Sequence, residues 1–476
     1  MIDSNRLKAT QQTLSQHGQE HLLAHWERLD DAQRELLLAD IEQIPFASLS
    51  GLIKDNVLSN TPFPLPSKIE PAPSLPHEPS GDQVKTYAEA VERGVGLIKR
   101  NAVCAFTVAG GQGTRLGYDG PKGAFQISPV KQKPLFQLFA EFIRGTNQRY
   151  GADLSWYIMT SPQNDAETQA YFAEHQHFGL DPGKIRFFQQ GVMPAFSPDG
   201  KILLDEPHRI AFSPDGHGGS LLALKRSGAL KQMRQEGVEH ISYFQVDNPL
   251  VKPIDPLFIG LHDVGGYELS SKTIPKADDL ERVGNFVRGD GTIMVIEYSD
   301  LPESLAHETD AQGQRKYDAA SIAIHVFSRS FIERLTANES QFALPWHRAS
   351  KKVPFINEQG ERVTPDEPNA VKLEAFIFDA LPLASETLIL QTTRAEEFSP
   401  VKNATGVDSV ATSQRDMNRR SAAWLKHAGV RVPMRTDGEP DGTFEISPLF
   451  ALDAEHLREV MTKPVKVTPG TEHYWE

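Results

Sequence analysis

The stretch VCAFTVAGGQGTRLG (103–117) decides how this chain folds. Val103 to Val108 is an apolar run of strand length, and the residues after it include glycines at 110, 111, 113 and 117. A buried strand that opens into a glycine ribbon lets the backbone bend sharply and aim several N–H groups at one anion. Gly120-Pro-Lys-Gly123 follows. Arg115 and Lys122 add positive charge that amides cannot supply, and Pro121 stiffens the approach to Lys122. Two other glycine loops fail on spacing. In a dinucleotide fingerprint starting at Gly111 the sixth residue would be glycine, and it is Leu116. A Walker-type loop needs a lysine after its last glycine, and Tyr118 follows Gly117.

Outward from the loop, strands and helices alternate. Pro134–Tyr150 reads as a helix with Leu135, Phe136, Phe139, Phe142 and Ile143 on one face. LSWYIMT (154–160) reads as a strand, 165–177 as a helix, KIRFFQQ (184–190) as a strand, Ser220–Glu236 as a helix and HISYFQV (240–246) as a strand. This rhythm predicts an α/β fold around a doubly wound, mainly parallel mixed sheet, with ligands at the carboxyl ends of its strands. Gly289-Asp290-Gly291, between two alternating runs, predicts a hairpin. Upstream, residues 5–55 carry leucines at helical spacing. Seven prolines between Pro62 and Pro79 then predict an extended connector, followed by a helix at 83–99. Three stretches result: a helical region with its connector (1–99), a main α/β domain (100–385) and a small α+β domain (386–476).

A length of 476 residues is too great for one core. The net charge of −14 argues against nucleic-acid or membrane-surface binding, so a phosphate site must concentrate its few cations. The one cysteine, Cys104, lies in the apolar run and reads as a buried, inert thiol. The polar N-terminus lacks the apolar segment of a signal peptide, which predicts a cytoplasmic protein.

The loop with its Pro-Lys is similar to the signature of the eukaryotic-type UDP-N-acetylglucosamine pyrophosphorylases and their UDP-sugar pyrophosphorylase relatives. Thr107 or Val108 stands where that signature has leucine. Further blocks resemble the family in its order: FFQQGVMPAF (187–196), FSPDGHGGSLLAL (212–224), QVDNPLVKPIDPLFIG (245–260), VIEYSDL (295–301), KKVPF (351–355), VKLEAFIFD (371–379) and EEFSPVKN (396–403). The resemblance spans roughly residues 20–450. It implies a nucleotide-diphospho-sugar transferase fold and an enzyme that joins UTP to a sugar 1-phosphate, with Mg²⁺ as cofactor. N-acetylglucosamine 1-phosphate is the sugar expected first. Glucose 1-phosphate or a broader range is the alternative, and a non-catalytic UDP-sugar sensor a remote one. A monomer or weak homo-oligomer is expected.

The resemblance also implies roles by position. Arg115, Lys122 and Lys402 are the catalytic cations. Ala109, Gly110, Gly111, Gly113, Thr114, Gln190, Gly216, Asp247 and Lys372 hold the nucleotide, with Asp247 also on the metal. His217, Glu297, Tyr298, Ser321, Phe376 and Phe378 face the sugar, and Lys351 and Lys352 are looser candidates. Two departures stand out. His217 replaces the family's asparagine, and the family's Gly-Asn-Ile-Ala-Asn segment reads Ala320-Ser-Ile-Ala-Ile324, without its two asparagines.

Overall fold

Ten strands form the main sheet: β1 (Ile69–Pro71), β2 (Val103–Val108), β3 (Trp156–Thr160), β4 (Ile185–Gln189), β5 (His240–Gln245), β6 (Leu269–Pro275), β7 (Asn285–Gly289), β8 (Thr292–Ile296), β9 (Ala319–Ser328) and β10 (Thr387–Gln391). The structure is a computed structural model that describes residues 4–59, 64–339, 342, 344–463 and 465–476. The sheet runs β1-β7-β9-β5-β2-β3-β4, with β8 beside β7 and with β6 pairing both β9 and β10.

Strands β2, β3, β4 and β5 are parallel to one another. They are joined by helices such as Leu135–Tyr150 and Asp165–Glu174, because a parallel pair needs a crossover. Leaving β2, the chain steps outward through β3 and β4 and then returns to place β5 on the other side of β2. That reversal is a topological switch point, and it opens a crevice beyond the carboxyl ends of β2 and β5. Beyond β5 the sheet turns antiparallel through β9 and β7.

The expected helical face of Leu135–Tyr150 is the buried one, with Phe136, Phe139 and Ile143 at 1% exposure or less. The predicted hairpin joins β7 and β8 through Asp290 (φ 48°) and Gly291 (φ 90°), the positive-φ pair that a two-residue turn requires. The helix expected over Ser220–Glu236 is two, Ser220–Arg226 and Ala229–Gln235. Gly228 at φ 80° breaks the ladder between them. Helices Gln83–Lys99 and Pro256–Val264 meet backbone to backbone. A Cβ on Gly94 would strike the Pro256 carbonyl, and one on Gly260 the Ala90 carbonyl.

The proline-rich connector lies partly outside the described residues, at 60–63. Its later part is extended, as expected, and also pinned to the sheet. Ile69–Pro71 pairs with β7, and Leu75 exchanges backbone hydrogen bonds with Ile389 and Gln391. Proline suits such edge positions because it has no N–H to offer the ladder.

Two compact units result: residues 1–64, 190–220 and 343–379, and residues 65–189, 221–342 and 380–476. This grouping differs from the three consecutive stretches suggested by the sequence. In the first unit the N-terminal leucines Leu22, Leu37 and Leu49 bury against Phe196, Ile202, Val371 and Leu373, which come from the two later segments. In the second, the C-terminal residues keep an apolar cluster of their own around Trp424, Leu425 and Phe444.

Candidate active site

The glycine ribbon leaves β2 and folds back on itself. Gly113 N–H donates to the Gly120 carbonyl at 2.9 Å, and Lys122 N–H donates to the Gly111 carbonyl at 3.1 Å. Gly120 sits at φ 143°, and a Cβ on Gly113 would meet the Tyr118 ring at 2.7 Å. Ala109 is fully buried, whereas Gly111, Thr114 and Arg115 are exposed. One residue that no sequence signal marked secures the ribbon. Asn164, fully buried, donates to the carbonyls of Ala109 (3.0 Å) and Gly111 (3.3 Å).

Asp247 follows β5, on the other side of the switch point. Lys122 Nζ stands 3.9 Å from Asp247 Oδ2, with both side chains mostly buried. The 399–404 segment closes on the same place: Val401 N–H donates to the Asp247 carbonyl at 2.8 Å, and Ala404 N–H to the Arg115 carbonyl at 3.1 Å. Asn248, also unmarked in the sequence, fastens this meeting. Its Nδ2 donates to the Glu397 carbonyl at 2.6 Å, and its Oδ1 accepts from Ser399 N–H at 3.2 Å. Glu397 is in turn held by buried Lys272, which also pairs with Asp255. Glycine ribbon, Asp247 and the Lys402 segment, far apart in sequence, therefore share one scaffold. Lys402 Nζ lies 3.2 Å from Asp408 and is partly exposed.

Within the same unit, Glu297, Tyr298 and Ser321 gather beside the start of β7. Ser321 N–H donates to the Gly284 carbonyl at 2.8 Å, and a Cβ on Gly284 would meet the Glu297 carboxylate at 3.0 Å. Tyr298 is 45% exposed.

The other unit carries Gln190, Gly216, His217, Lys372, Phe376 and Phe378. Gln190 is buried. Gly216 has φ 85°, and a Cβ there would collide with the Ala375 carbonyl, so the Gly216–Gly219 turn lies flat on strand Ala370–Ala375. Lys372 on that strand is held below the usual lysine value by burial and by the Lys351 charge. The His217 ring stacks on Phe376 (5.3 Å, 17°), and Phe376 stacks on His347 (4.2 Å, 26°). Burial, aided by the nearby His347, pushes His217 down to about 4. His217 Nδ1 accepts the Ile377 N–H at 3.1 Å, so the neutral ring carries its proton on Nε2 and presents a donor. An asparagine amide would present a donor of the same kind. Phe376 is thus stacked between the two histidine rings, and Phe378 meets both histidines edge-on.

The chain matches a family model described as UTP–glucose-1-phosphate uridylyltransferase over residues 74–434. It belongs to that family. It is 35% identical to mouse UDP-N-acetylhexosamine pyrophosphorylase-like protein 1, covering 96% of this chain and 94% of the relative. It is also 35% identical to the UDP-N-acetylglucosamine pyrophosphorylase of Saccharomyces cerevisiae, covering 95% and 97%. The Trypanosoma brucei UDP-N-acetylglucosamine pyrophosphorylase, solved with an inhibitor, superposes with a TM-score of 0.83 at 28% identity, covering 100% of this chain and 99% of that one.

In this uridylyltransferase-family chain, Glu239, His240 and Asp263 are a group of described residues close enough to ligate a metal. They lie at the amino end of β5, opposite Asp247. Arg93 and Arg100 already pair with Asp263 and Glu239, so the group reads as an ion-pair network. No single helix among the described residues is long and apolar enough to cross a membrane.

Proposed function

We propose that this chain joins UTP to N-acetylglucosamine 1-phosphate, giving UDP-N-acetylglucosamine and pyrophosphate, in the cytoplasm and as a monomer or weak homo-oligomer. The observation that carries this reading is the meeting of the glycine ribbon, Lys122, Asp247 and the 399–404 segment at the β2/β5 switch point. A phosphate oxygen of the sugar phosphate attacks the α-phosphorus in line. A new O–P bond forms as the α–β bridging bond breaks, and pyrophosphate leaves with the electron pair. The attacking group is already an anion, so neither a general base nor a covalent intermediate is required. What remains is positioning and neutralisation of charge.

The ribbon amides, Arg115 and Lys122 neutralise the triphosphate, and Lys402 draws the sugar phosphate into line. Gln190, Gly216 and Lys372 address the nucleoside. Glu297, Tyr298, Ser321, His217, Phe376 and Phe378 address the sugar. Asp247 fits a magnesium ion, since Mg²⁺ takes one or two carboxylates and completes its shell with water and substrate phosphates. When bound, the ion supplies further neutralisation of phosphate charge.

The test is pyrophosphate release from UTP with a panel of sugar 1-phosphates. The highest kcat/KM is expected with N-acetylglucosamine 1-phosphate. Background rates across the whole panel would refute the reading, and a preference for glucose 1-phosphate would move the sugar assignment alone.

A further inference from the structure

Past Lys122 the chain does not run straight into helix Leu135–Tyr150. It turns through Lys122–Ala124 and makes a side loop, 126–134, before the helix begins. Phe125 N–H donates to the Lys122 carbonyl at 3.0 Å, Leu135 N–H donates to the Phe125 carbonyl at 3.2 Å, and Gln126 bridges to Pro134. Ile127 N–H donates to the Lys133 carbonyl at 2.9 Å. Gly123 lies so close to Phe136 that a Cβ there would strike the ring. The backbone of Lys122 is therefore fixed on one side by the Gly111 carbonyl and on the other by the base of this loop.

The far end of the chain holds the loop. Strands Gly442–Ile446 and Thr471–Trp475 are parallel neighbours in which Glu445 and Tyr474 are directly paired. Successive side chains of a strand point to opposite faces. Phe444 enters the C-terminal apolar cluster, so Glu445 points away from it, with Tyr474 beside it. Glu445, 4% exposed, accepts the Val130 and Lys131 N–H groups on one carboxylate oxygen, each at 2.8 Å. The Lys133 ammonium donates to the Tyr474 hydroxyl oxygen at 2.7 Å and to Glu141 at 2.6 Å. Ser447 Oγ donates to the same Glu141 oxygen at 3.0 Å, and the Lys131 ammonium lies 4.7 Å over the Tyr474 ring. Lys133 and Glu141 are both buried. Charge-assisted bonds made away from water are the ones whose loss costs most.

We propose that Glu445 and Tyr474 are positioning residues for Lys122. Side by side on the C-terminal strands, they clamp the tip and the return of loop 126–134, and through the base of that loop they set where the Lys122 ammonium stands. This rests on the uridylyltransferase reading above, in which Lys122 neutralises the triphosphate. A misplacement of about 1 Å by a distant change can cost about 10² in rate, so releasing the clamp lowers turnover without touching substrate.

The experiment is a double-mutant cycle with E445A, K122A and E445A/K122A. Measured on each are kcat, KM for UTP, KM for N-acetylglucosamine 1-phosphate and Tm. E445A alone is expected to lower kcat about tenfold, with both KM values within about twofold of wild type. In the K122A background the same change should move kcat by less than about twofold, because the group it positions is gone. If E445A does not fold, Y474F, which removes a single hydroxyl, replaces it in the cycle, with an expected fall of about threefold. A fall of equal size in both backgrounds overturns the proposal, since a purely structural residue would lower both alike. A rise in KM without a fall in kcat overturns it too. A folded wild type that releases no pyrophosphate overturns the uridylyltransferase reading and this one together. An active wild type whose kcat is indifferent to the clamp overturns this one alone.

Discussion

Replacing Lys122 with alanine removes a positive charge 3.9 Å from the Asp247 carboxylate, where the two side chains are 15% and 17% exposed. With an effective dielectric near 20, a unit-charge pair at that separation interacts by about 4 kcal/mol. The triphosphate, and the charge that builds on the departing pyrophosphate, are partners of the same order. Loss of one preorganised donor of this kind costs about 2.7–4 kcal/mol in the transition state, a fall of roughly 10²–10³ in kcat. K122R keeps the charge but presents it as a planar fork on a longer stem, so its loss should be intermediate. Initial rates of pyrophosphate release at saturating UTP and sugar phosphate give kcat, and Tm reports whether the fold survives. Removing Lys122 also leaves Asp247 without its cation, so the double variant K122A/D247N separates the lysine's action on substrate from its action on the aspartate. A K122A enzyme within threefold of wild-type kcat and with normal Tm would refute the argument, because the charge nearest Asp247 would then have no part in the chemistry.

Other outcomes follow from single contacts. N164A removes the donor to the Ala109 and Gly111 carbonyls; it should cost about 1–3 kcal/mol of stability and raise KM for UTP more than KM for the sugar, read from denaturant melts and initial rates. H217N should stay within about threefold of wild type in sugar KM, while H217A should raise it about tenfold, because asparagine restores a neutral donor and alanine does not. His217 has its folded value depressed to about 4, so the unfolded chain binds more protons than the folded one between about pH 4 and 6.5. Stability therefore rises with pH across that window and is flat in this respect above it, and H217N should show a shallower rise of Tm there. G260A should lower Tm sharply, since its Cβ meets the Ala90 carbonyl and the two helix backbones have no room to part without cost.

Much of the fold was legible because it depends on local periodicity. The β2 run, the helix at 135–150, and the β3, β4 and β5 strands all announce themselves by which residues are apolar and how they are spaced. The Asp290-Gly291 turn was legible for a related reason, since few residue pairs tolerate positive φ twice. The Gly228 break was missed because a single glycine inside a helical pattern is ambiguous until neighbours decide whether the chain continues. The discontinuous unit was missed for a different reason. Leu22 and Leu37 show that a helix face must be covered, but not that Phe196 and Val371 cover it.

At the site, Lys122 and Arg115 were marked by residue type beside a strand end, and Asp247 by the family resemblance of the block around it. Asn164 and Asn248 carried no mark, because a buried asparagine that ties two loops looks in sequence like any polar loop residue. His217 was visible as a replacement for asparagine, but its protonation was not. That follows from burial and from the Ile377 N–H on Nδ1.

Taken alone, the amino-acid order determined the strand-and-helix rhythm, the glycine ribbon and its adjacent lysine, since each rests on backbone preferences of near neighbours. Only the tertiary structure decided that β5 returns beside β2 and that the 399–404 segment closes on Asp247. Such pairings depend on strand order and register. Those are set by which distant apolar faces bury one another, and no local run of residues encodes that.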